Sequence, residues 1–299
     1  MYSTLRLTTN GTTLTVRFHN LDADLLNGQV FTDLDQLGAR LARDRSIRAV
    51  IITGPRPGIF APHYDLAEIL AGAQELGLHT PYPLARATLS VVAGALRIPG
   101  AEAGLRRTPL AGVVAMLTTH RALAQLERLP QVVIAAITGD ALGGGCEVAL
   151  ACDVRIMADG PYLIGLPEIS AGIPPGAGGS VRLVRTVGRS RATAMMMRAR
   201  PLNPKDALTA GLVDDVVAAD EVLAQAQDLA DRVAQWNPAA IAAAKRSIAA
   251  AVGSPKAFRV EAAGFIATAS ATPAQERLAE FGSAERNASP WRDRTWLDF

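Results

Sequence analysis

The stretch QVVIAAITGDALGGGCEVALACDVRIMA, residues 131–158, decides the fold class of this 299-residue chain. Its pattern predicts a buried strand, a turn of three glycines, an apolar helix and a second strand, which is the order expected of parallel strands joined by a helix. Glycine is a poor residue with which to begin a helix, yet three of them stand directly before a helical segment that carries one carboxylate, Glu147. This order needs an explanation, because glycine has the most permissive backbone and here it closely precedes an acid that is expected to be buried.

The segments before this stretch continue the alternation of strand and helix. Residues 4–18 alternate around an Asn-Gly turn and predict a hairpin. Apolar residues at helical spacing predict helices over 31–44 and 113–129, and IRAVIITG, residues 47–54, predicts a buried strand. A loop, PRPGIFAPH, then leads to a helix from Tyr64 onward. The prediction is an α/β architecture with parallel pairings.

We expect two regions in the chain. Residues 1–200 form the α/β core, and residues 201–299 form a C-terminal helical region in which 204–252 are strongly helical. The core is interrupted at about 77–109 by a less regular segment, which is either a surface insertion with its own short helix or a lid over a ligand. The final segment, SPWRDRTWLDF, carries two tryptophans and is expected to pack on the body or on a partner chain.

Composition excludes several classes of protein. The chain is 49% hydrophobic and 19% charged, which fits a globular protein with a large core. A net charge of +2 without a basic run argues against nucleic-acid binding. We find neither a signal-peptide pattern nor an 18-residue apolar span, so no membrane association is expected. Cys146 and Cys152 have no disulfide or metal spacing, and as buried small residues they indicate a reducing, cytoplasmic location.

The glycine turn does not match the common phosphate or nucleophile motifs. GGGCEV is not G-x-G-x-x-G, and the chain has neither a G-x-x-x-x-G-K-[ST] loop nor a G-x-S-x-G elbow. The four histidines show no metal-ligand spacing, so no metal is expected. What remains is a helix N-terminus with unpaired N–H groups, which suits a developing oxyanion. Glu147 is either a stabilising first-turn acid or a catalytic carboxylate beside that oxyanion.

Two other segments have matching character. GIFAPHYDL, residues 58–66, also leads from a strand region into a helix, with Asp65 as a possible N-cap. Two such turns would each lend one N–H to a single carbonyl oxygen. GLPEISAGIPPGAGGSVRL, residues 165–183, holds Glu168 between apolar neighbours. Glu168 is either a surface acid or the partner of Glu147 in a two-carboxylate acid/base site.

These motifs resemble the enoyl-CoA hydratase/isomerase (crotonase) superfamily. ITGDALGGGCEVALACDVRIMADG resembles the family's oxyanion-hole and first-glutamate motif, and LPEISAGIPPGAGGSVRLVRTVG its second-glutamate motif. RAVIITGPRPGIFAPHYDLAEI resembles the first oxyanion-hole segment, and NPKDALTAGLVDDVV resembles the segment that follows the second glutamate. The resemblance covers about residues 5–265 and is most specific over 139–183.

The resemblance implies a spiral of ββα units followed by a C-terminal helical region that forms trimers, which often pair into hexamers. It implies an acyl-CoA thioester as the small-molecule substrate, with no other cofactor, and a place in fatty acid metabolism. The thioester oxygen would accept N–H bonds from Tyr64 and Gly144. Glu147 would deprotonate a water, and Glu168 would protonate the α-carbon. Substrate-contacting positions are expected at His63, Asp65, Leu142, Gly143, Pro167 and Gly176.

The chain departs from the family pattern in the loop before the second helix, in the segment FHNLDADLLN, which lacks the basic residue that commonly approaches CoA in the family, and in the insertion at 77–109. Where the family usually has A-G-A-D or A-G-G-D, this chain has Pro62, His63, Tyr64 and Asp65. Tyr64 needs to supply only its backbone N–H, and its ring is expected to line the acyl pocket. His63 is a solvent-facing loop residue, a ligand contact or an additional acid/base group.

Three functions stay open on the sequence. The first is hydration of a 2-enoyl-CoA, which the presence of both glutamates favours. The second is another reaction of the superfamily, namely an isomerase, dehydratase or C–C hydrolase reaction, which the unusual loop motivates. The third is a non-catalytic acyl-CoA-binding oligomer.

Overall fold

The computed structural model describes residues 2–19, 24–77, 79–251 and 256–284. Its strands are β1 (Leu5–Asn10), β2 (Thr13–Phe18), β3 (Ala49–Thr53), β4 (Gly58–Ala61), β5 (Val132–Ile137), β6 (Gly139–Leu142), β7 (Val154–Ala158), β8 (Ile164–Gly165) and β9 (Asp215–Val217). Its helices are α1 (Gly28–Leu41), α2 (Leu66–Glu75), α3 (Tyr82–Ala95), α4 (Ala101–Leu105), α5 (Ala111–Arg128), α6 (Gly144–Leu150), α7 (Gly179–Val187), α8 (Arg189–Met197), α9 (Pro204–Ala210), α10 (Val222–Ala234), α11 (Pro238–Ala251), α12 (Lys256–Ala269) and α13 (Thr272–Ala284). A 3₁₀ helix covers Glu168–Ala171.

The strands form two sheets. The larger has six strands in the order β1-β2-β3-β5-β7-β9, and the smaller has three in the order β4-β6-β8. Only the β1–β2 hairpin is antiparallel; the other described pairs are parallel. The predicted hairpin and the predicted parallel architecture are therefore confirmed.

A ββα unit repeats three times along the chain, as β3-β4-α2, β5-β6-α6 and β7-β8-α7. In each unit the first strand joins the large sheet and the second joins the small sheet. Because the same strand order recurs in both sheets, the helices that follow β4, β6 and β8 start near one another. This arrangement is the expected spiral of ββα units, and it gathers the three motif-bearing turns at one place.

The core lies on both faces of the large sheet. Val50 and Val133 point into a cluster with α1 and α5, whereas Ile51 and Ile134 point to the other face. That second face is covered by α10 through Val222, Ala226 and Ala230. Because β3 and β5 are buried on both faces, they appear in the sequence as continuous apolar runs and not as alternating ones.

The structure differs from the sequence expectations in short elements. The segments expected to be a loop before Tyr64 and a direct turn after Gly139 each contain a four-residue strand, β4 and β6. Strands this short have no readable periodicity. The strongly helical region 204–252 also contains β9, which pairs with β7 at the edge of the large sheet.

The segment at 77–109 holds two helices, α3 and α4, where one short helix was expected. The inner face of α3 carries Leu89 and Val92, which pack in one cluster with Ala263 and Ile266 of α12. The segment therefore extends the helical layer over α12, and its role as a lid stays a prediction. The tryptophan-bearing tail expected to pack on the body lies outside the described residues. Among the described residues, no helix combines the length and apolar character needed to cross a membrane.

Close backbone packing at the start of α6 generates a stability prediction. A Cβ placed on Gly145 would lie 2.0 Å from the carbonyl oxygen of Ala61. We expect Gly145→Ala to lower the free energy of unfolding by about 1–3 kcal/mol or more, because the backbone must move apart. Gly264→Ala is the matched control, since its Cβ would meet nothing within 4 Å, and it should raise stability by up to about 1 kcal/mol. Equal stabilities of the two variants in urea unfolding would contradict the packing.

Candidate active site

The glycine turn at 143–145 has a conformation that glycine requires. Gly143 has φ +49° and ψ −118°, a region that side chains disfavour, and its N–H donates to Gly165 O at 2.9 Å. The helix α6 begins at Gly144, so its first N–H groups have no partner within the helix. Since Gly145 packs on Ala61 at the end of β4, the start of α6 lies directly against the loop that follows β4.

That loop is held by the backbone of Leu26. The N–H of Leu26 donates to His63 O at 3.0 Å, and the N–H of Asp65 donates to Leu26 O at 2.7 Å. The Asp65 carboxylate accepts N–H bonds from Ala67 and Glu68 and caps α2. The predicted N-cap is confirmed, and the loop is fixed on both sides of Tyr64.

The peptide N–H groups of Tyr64 and Gly144 lie side by side. The ideal Cβ position of Gly144 is 3.5 Å from Tyr64 N and 3.2 Å from Tyr64 Cβ. Within the described part of the chain, neither N–H donates to a protein acceptor. Both residues line the same cavity. Two adjacent, unpaired peptide donors on a cavity wall are suited to binding one carbonyl oxygen.

The Tyr64 ring packs at the side of this pair of donors. Its hydroxyl donates to Glu68 Oε1 at 2.7 Å, and its ring stacks on Phe31 with centroids 5.9 Å apart. Glu68 also accepts the N–H of Gly28 at 3.1 Å. Burial, reinforced by the charge of Glu68, raises the pKa of Tyr64 well above its usual range. The phenol therefore stays neutral and lines the cavity, as expected.

His63 is buried, with 2% of its surface exposed, so the expectation of a solvent-facing residue is wrong. Its Nδ1 lies 2.9 Å from Tyr64 O, a contact in which Nδ1–H must be the donor because a carbonyl only accepts. Burial lowers the pKa of His63 to about 4. The imidazole is therefore neutral near pH 7 and supports the carbonyl of Tyr64 while lining the cavity.

Glu147 belongs to α6, and its carboxylate is buried against the start of α7. Its Oε1 accepts the N–H groups of Ala177 and Gly179, each at 2.7 Å. A Cβ on Gly179 would lie 2.7 Å from that same oxygen, so glycine is required there for the carboxylate to come close. Burial raises the pKa of Glu147, while the two N–H bonds and the charge of Arg182 oppose the rise. These partners favour the ionised carboxylate.

Glu168 has the opposite environment. It lies in the 3₁₀ helix, is 7% exposed, and its Oε2 is buried without a partner among the described residues. Burial, followed by the negative charge of Glu147, raises the pKa of Glu168 well above its usual range. A carboxyl in this position holds its proton more tightly than an ordinary glutamate and is suited to act as a proton donor.

These groups open into one cavity of about 330 Å³. Its polar end is formed by the two glutamates, the glycine turn and the Tyr64 loop. Its other walls are mostly apolar and come from α2, α5 and α12, through residues that include Ile69, Val113, Met116, Phe265, Ile266 and Ala269. The cavity thus joins two carboxyls and two free peptide donors to an apolar chamber. No cluster able to hold a metal ion is found within the described ranges.

Seven of the ten predicted site residues line this cavity: Glu147, Glu168, Tyr64, Gly144, His63, Gly143 and Gly176. The other three do not. Asp65 uses its carboxylate as a helix cap, Leu142 is buried in an apolar cluster with Leu66, and Pro167 stands at the N-cap of the 3₁₀ helix. The expectation that these three contact the substrate has no support from this placement.

The sequence analysis missed the contribution of α12. Phe265 and Ile266 line the cavity, and a Cβ on Gly176 would lie 2.5 Å from the Phe265 ring. Glu68 and Arg106 also line it without having been predicted. The available signal was weak: α12 has apolar residues around most of its circumference, so its cavity face could not be identified from periodicity.

The pKa of His63 generates a pH prediction. Its ordinary pKa of 6.5 falls to about 4 in the folded protein, so its contribution to stability is complete above about pH 6.5 and is lost as the pH falls toward 4. Between pH 7 and pH 5, we expect the free energy of unfolding of the parent protein to fall by about 2 kcal/mol more than that of the His63→Gln variant. His79 is exposed, so His79→Gln is the matched control. Its free energy of unfolding should fall between pH 7 and pH 5 by as much as that of the parent protein. Identical losses for all three proteins would show that His63 is not buried neutral.

Comparison with known proteins agrees with this geometry. A sequence model of the enoyl-CoA hydratase/isomerase family matches residues 112–294. The 2,3-dehydroadipyl-CoA hydratase of Escherichia coli is 40% identical over 54% of this chain, and the match spans 64% of that protein's length. The short-chain-enoyl-CoA hydratase of Clostridium acetobutylicum is 30% identical, with 75% of this chain and 72% of the relative covered.

Among solved structures, the crystal structure of an enoyl-CoA hydratase from Bacillus anthracis superimposes with a TM-score of 0.66 at 25% identity, covering 96% of this chain and 98% of that one. The ββα spiral, the two glutamate-bearing turns and the family match agree with one another. The chain belongs to the enoyl-CoA hydratase/isomerase family.

Proposed function

We propose that this protein is an enoyl-CoA hydratase that adds water across the 2,3-double bond of a 2-enoyl-CoA thioester. The observation that carries the proposal is the unequal environment of two buried carboxyls in one cavity. Glu147 accepts two peptide N–H bonds, whereas Glu168 has an oxygen without a partner in the described part of the chain. Environments that separate two carboxyls in this way assign a base and an acid.

The chemistry follows from these assignments. The thioester oxygen accepts the N–H bonds of Tyr64 and Gly144, which are available for it. Glu147 takes a proton from a water molecule whose oxygen bonds to the β-carbon. The electron pair of the double bond moves toward the thioester, and the two N–H dipoles stabilise the enolate oxygen. Glu168 then gives its proton to the α-carbon, so one proton leaves Glu168 and one arrives at Glu147.

The substrate's acyl chain is proposed to occupy the apolar part of the cavity. The walls from α2, α5 and α12 are mostly aliphatic, which favours a hydrocarbon chain. Coenzyme A enters as part of the substrate, and no further cofactor is proposed. Fatty acid metabolism and a cytoplasmic location stay predictions; the two cysteines, which are buried and unpaired, are compatible with a reducing compartment.

Conservative changes of the glutamates test the proposal. We expect Glu147→Gln and Glu168→Gln each to lower kcat for hydration of crotonyl-CoA by about 10²–10⁴-fold, because a general base or acid is removed. Binding of a saturated acyl-CoA should change little, since the donors for the thioester oxygen remain. Glu276→Gln, an exposed change on α13, is the control and should leave kcat unchanged. Loss of absorbance by the conjugated thioester measures the reaction.

The alternatives have their own outcomes in this experiment. If the parent protein does not hydrate 2-enoyl-CoA thioesters but acts on a panel of isomerase, dehydratase or β-diketone substrates, another reaction of the superfamily replaces the proposal. If acyl-CoA binds without any reaction and neither glutamate change alters binding, the protein is a non-catalytic acyl-CoA-binding oligomer.

A homo-oligomer, trimeric or hexameric, is proposed from the surface of α11. This helix is rich in alanine and almost wholly exposed, and Ile248 on it is 63% exposed. Lys245 ties it to the body by donating to Gln131 O at 2.8 Å. A fixed helix with an uncovered apolar surface is suited to packing against another copy of the chain.

A charge on α11 tests this assembly. We expect Ile248→Asp to dissociate the oligomer in sedimentation velocity, because a carboxylate would be buried without a partner at the interface. Val91→Asp on α3 is the matched change, since Val91 is 70% exposed but lies on another helix, and it should keep the parent's sedimentation coefficient. A monomeric parent protein would contradict the proposed assembly.

A further inference from the structure

A third buried carboxyl, Glu261, lies behind the glutamate pair. It is carried by α12, is 8% exposed, and does not line the cavity. Its Oε2 accepts the N–H of Ser180 at 2.6 Å, while its Oε1 is buried without a partner in the described part of the chain. None of the steps derived above uses this group.

Glu261 and Glu147 bind neighbouring peptides of one short segment. The N–H groups of Ala177 and Gly179 donate to Glu147. The N–H of the next residue, Ser180, donates to Glu261. The segment at the start of α7 is therefore held between two carboxyls that approach it from different helices, α6 and α12.

The packing of α12 fixes this arrangement. Phe258, Glu261 and Phe265 lie three and four residues apart, on one face of the helix. A Cβ on Gly178 would lie 2.7 Å from the Phe258 ring, and one on Gly176 would lie 2.5 Å from the Phe265 ring. Aromatic contacts on both sides of Glu261 thus hold its carboxyl against the segment, and only glycine permits so close an approach.

We propose that Glu261 is a positioning residue for the hydration reaction: it holds the peptide segment 177–180 against Glu147, and it places a third carboxyl beside the pair formed by Glu147 and Glu168. This inference rests on the proposed hydratase function. The three groups interact in pairs, since Glu147 raises the pKa of Glu261 and Glu261 raises that of Glu168. Burial, with the charge of Glu147, brings the pKa of Glu261 to about 7.

A purely structural cap would not need a carboxyl here. The carbonyl oxygen of glutamine can accept the Ser180 N–H, and a neutral amide is less costly to bury than a charge. Placing an acid beside two other acids costs free energy, and carboxyls perturbed in this way cluster at functional sites. The difference between the carboxyl and the amide is therefore the property to test.

Other titratable and charged groups surround Glu261 and contribute to the electrostatics of the site. The titratable or charged residues on elements around α12 are Glu147 on α6, Glu168 in the 3₁₀ helix, Arg182 and Arg185 on α7, His120 and Glu127 on α5, and Glu68 and Glu75 on α2. From α3 and α13, apolar residues pack against α12. Arg182 is ion-paired with Glu127, to which its Nε and Nη2 both donate at 3.1 Å.

The test compares Glu261→Gln with the parent protein in the full chain. The pH profile of kcat/KM for crotonyl-CoA should shift to lower pH on both limbs by about half to one unit, because removing a negative charge eases ionisation of both catalytic carboxyls. On the alkaline limb this shift lowers kcat/KM by about three- to ten-fold. Glu261→Asp keeps the charge and should restore the parent's limbs. Glu276→Gln is the surface control and should leave them in place.

A profile of Glu261→Gln that superimposes on the parent's, with or without a fall in Tm, would overturn the proposal and leave Glu261 a structural cap. Carboxyl ¹³C NMR of the substrate-free parent gives a second readout, which is needed if the glutamine variant does not fold. Glu261 and Glu168 should then titrate in coupled, two-step curves, and independent single-step curves would overturn the proposal. A parent without hydratase activity would defeat the proposed function alone, since the NMR titration still decides whether Glu261 acts on the pair.

Discussion

The burial of the Glu147 carboxylate is the constraint on which the rest of the site depends. An ionised carboxylate in an apolar interior is costly unless hydrogen bonds replace its water. Here Ala177 and Gly179 supply those bonds from the start of α7. This requirement fixes the distance between α6 and α7, and it excludes a side chain at 179, whose Cβ would collide with the carboxylate. The glycine at 179 is thus a consequence of burying an acid in this cavity.

The ββα repeat explains why this acid lies near the peptide N–H groups of Tyr64 and Gly144. Each unit sends its first strand to the large sheet and its second to the small sheet, so the turns after β4, β6 and β8 are brought to the same side. The turn after β6 carries Gly144 and Glu147, the turn after β4 carries Tyr64, and the turn after β8 carries Glu168. Because Leu26 holds the Tyr64 loop by two backbone bonds, a bulky loop sequence still presents an unpaired N–H at the cavity.

The sequence predicts those parts of the site that are made by local backbone chemistry. Three consecutive glycines before Glu147 and the Asp65 cap are visible in the chain, because each depends on a few adjacent residues. The burial of His63 was not predictable in the same way. Its partner is the carbonyl of the next residue, and its burial depends on packing by elements distant in the sequence. The strands β4 and β6 were missed because four residues do not establish a period.

The contribution of α12 was also not predictable from local sequence, because this helix reaches the site only through tertiary packing. One face of this helix supplies the apolar wall near Phe265 and Ile266 and, behind that wall, the carboxyl of Glu261. The helix also packs against α3, from the segment that was expected to be an insertion. A displacement of α12 would therefore open the apolar part of the cavity and at the same time move a carboxyl away from the glutamate pair. One helix thus contributes both to the apolar wall of the cavity and to the charge near the two glutamates, and α3, from the segment at 77–109, packs against that helix.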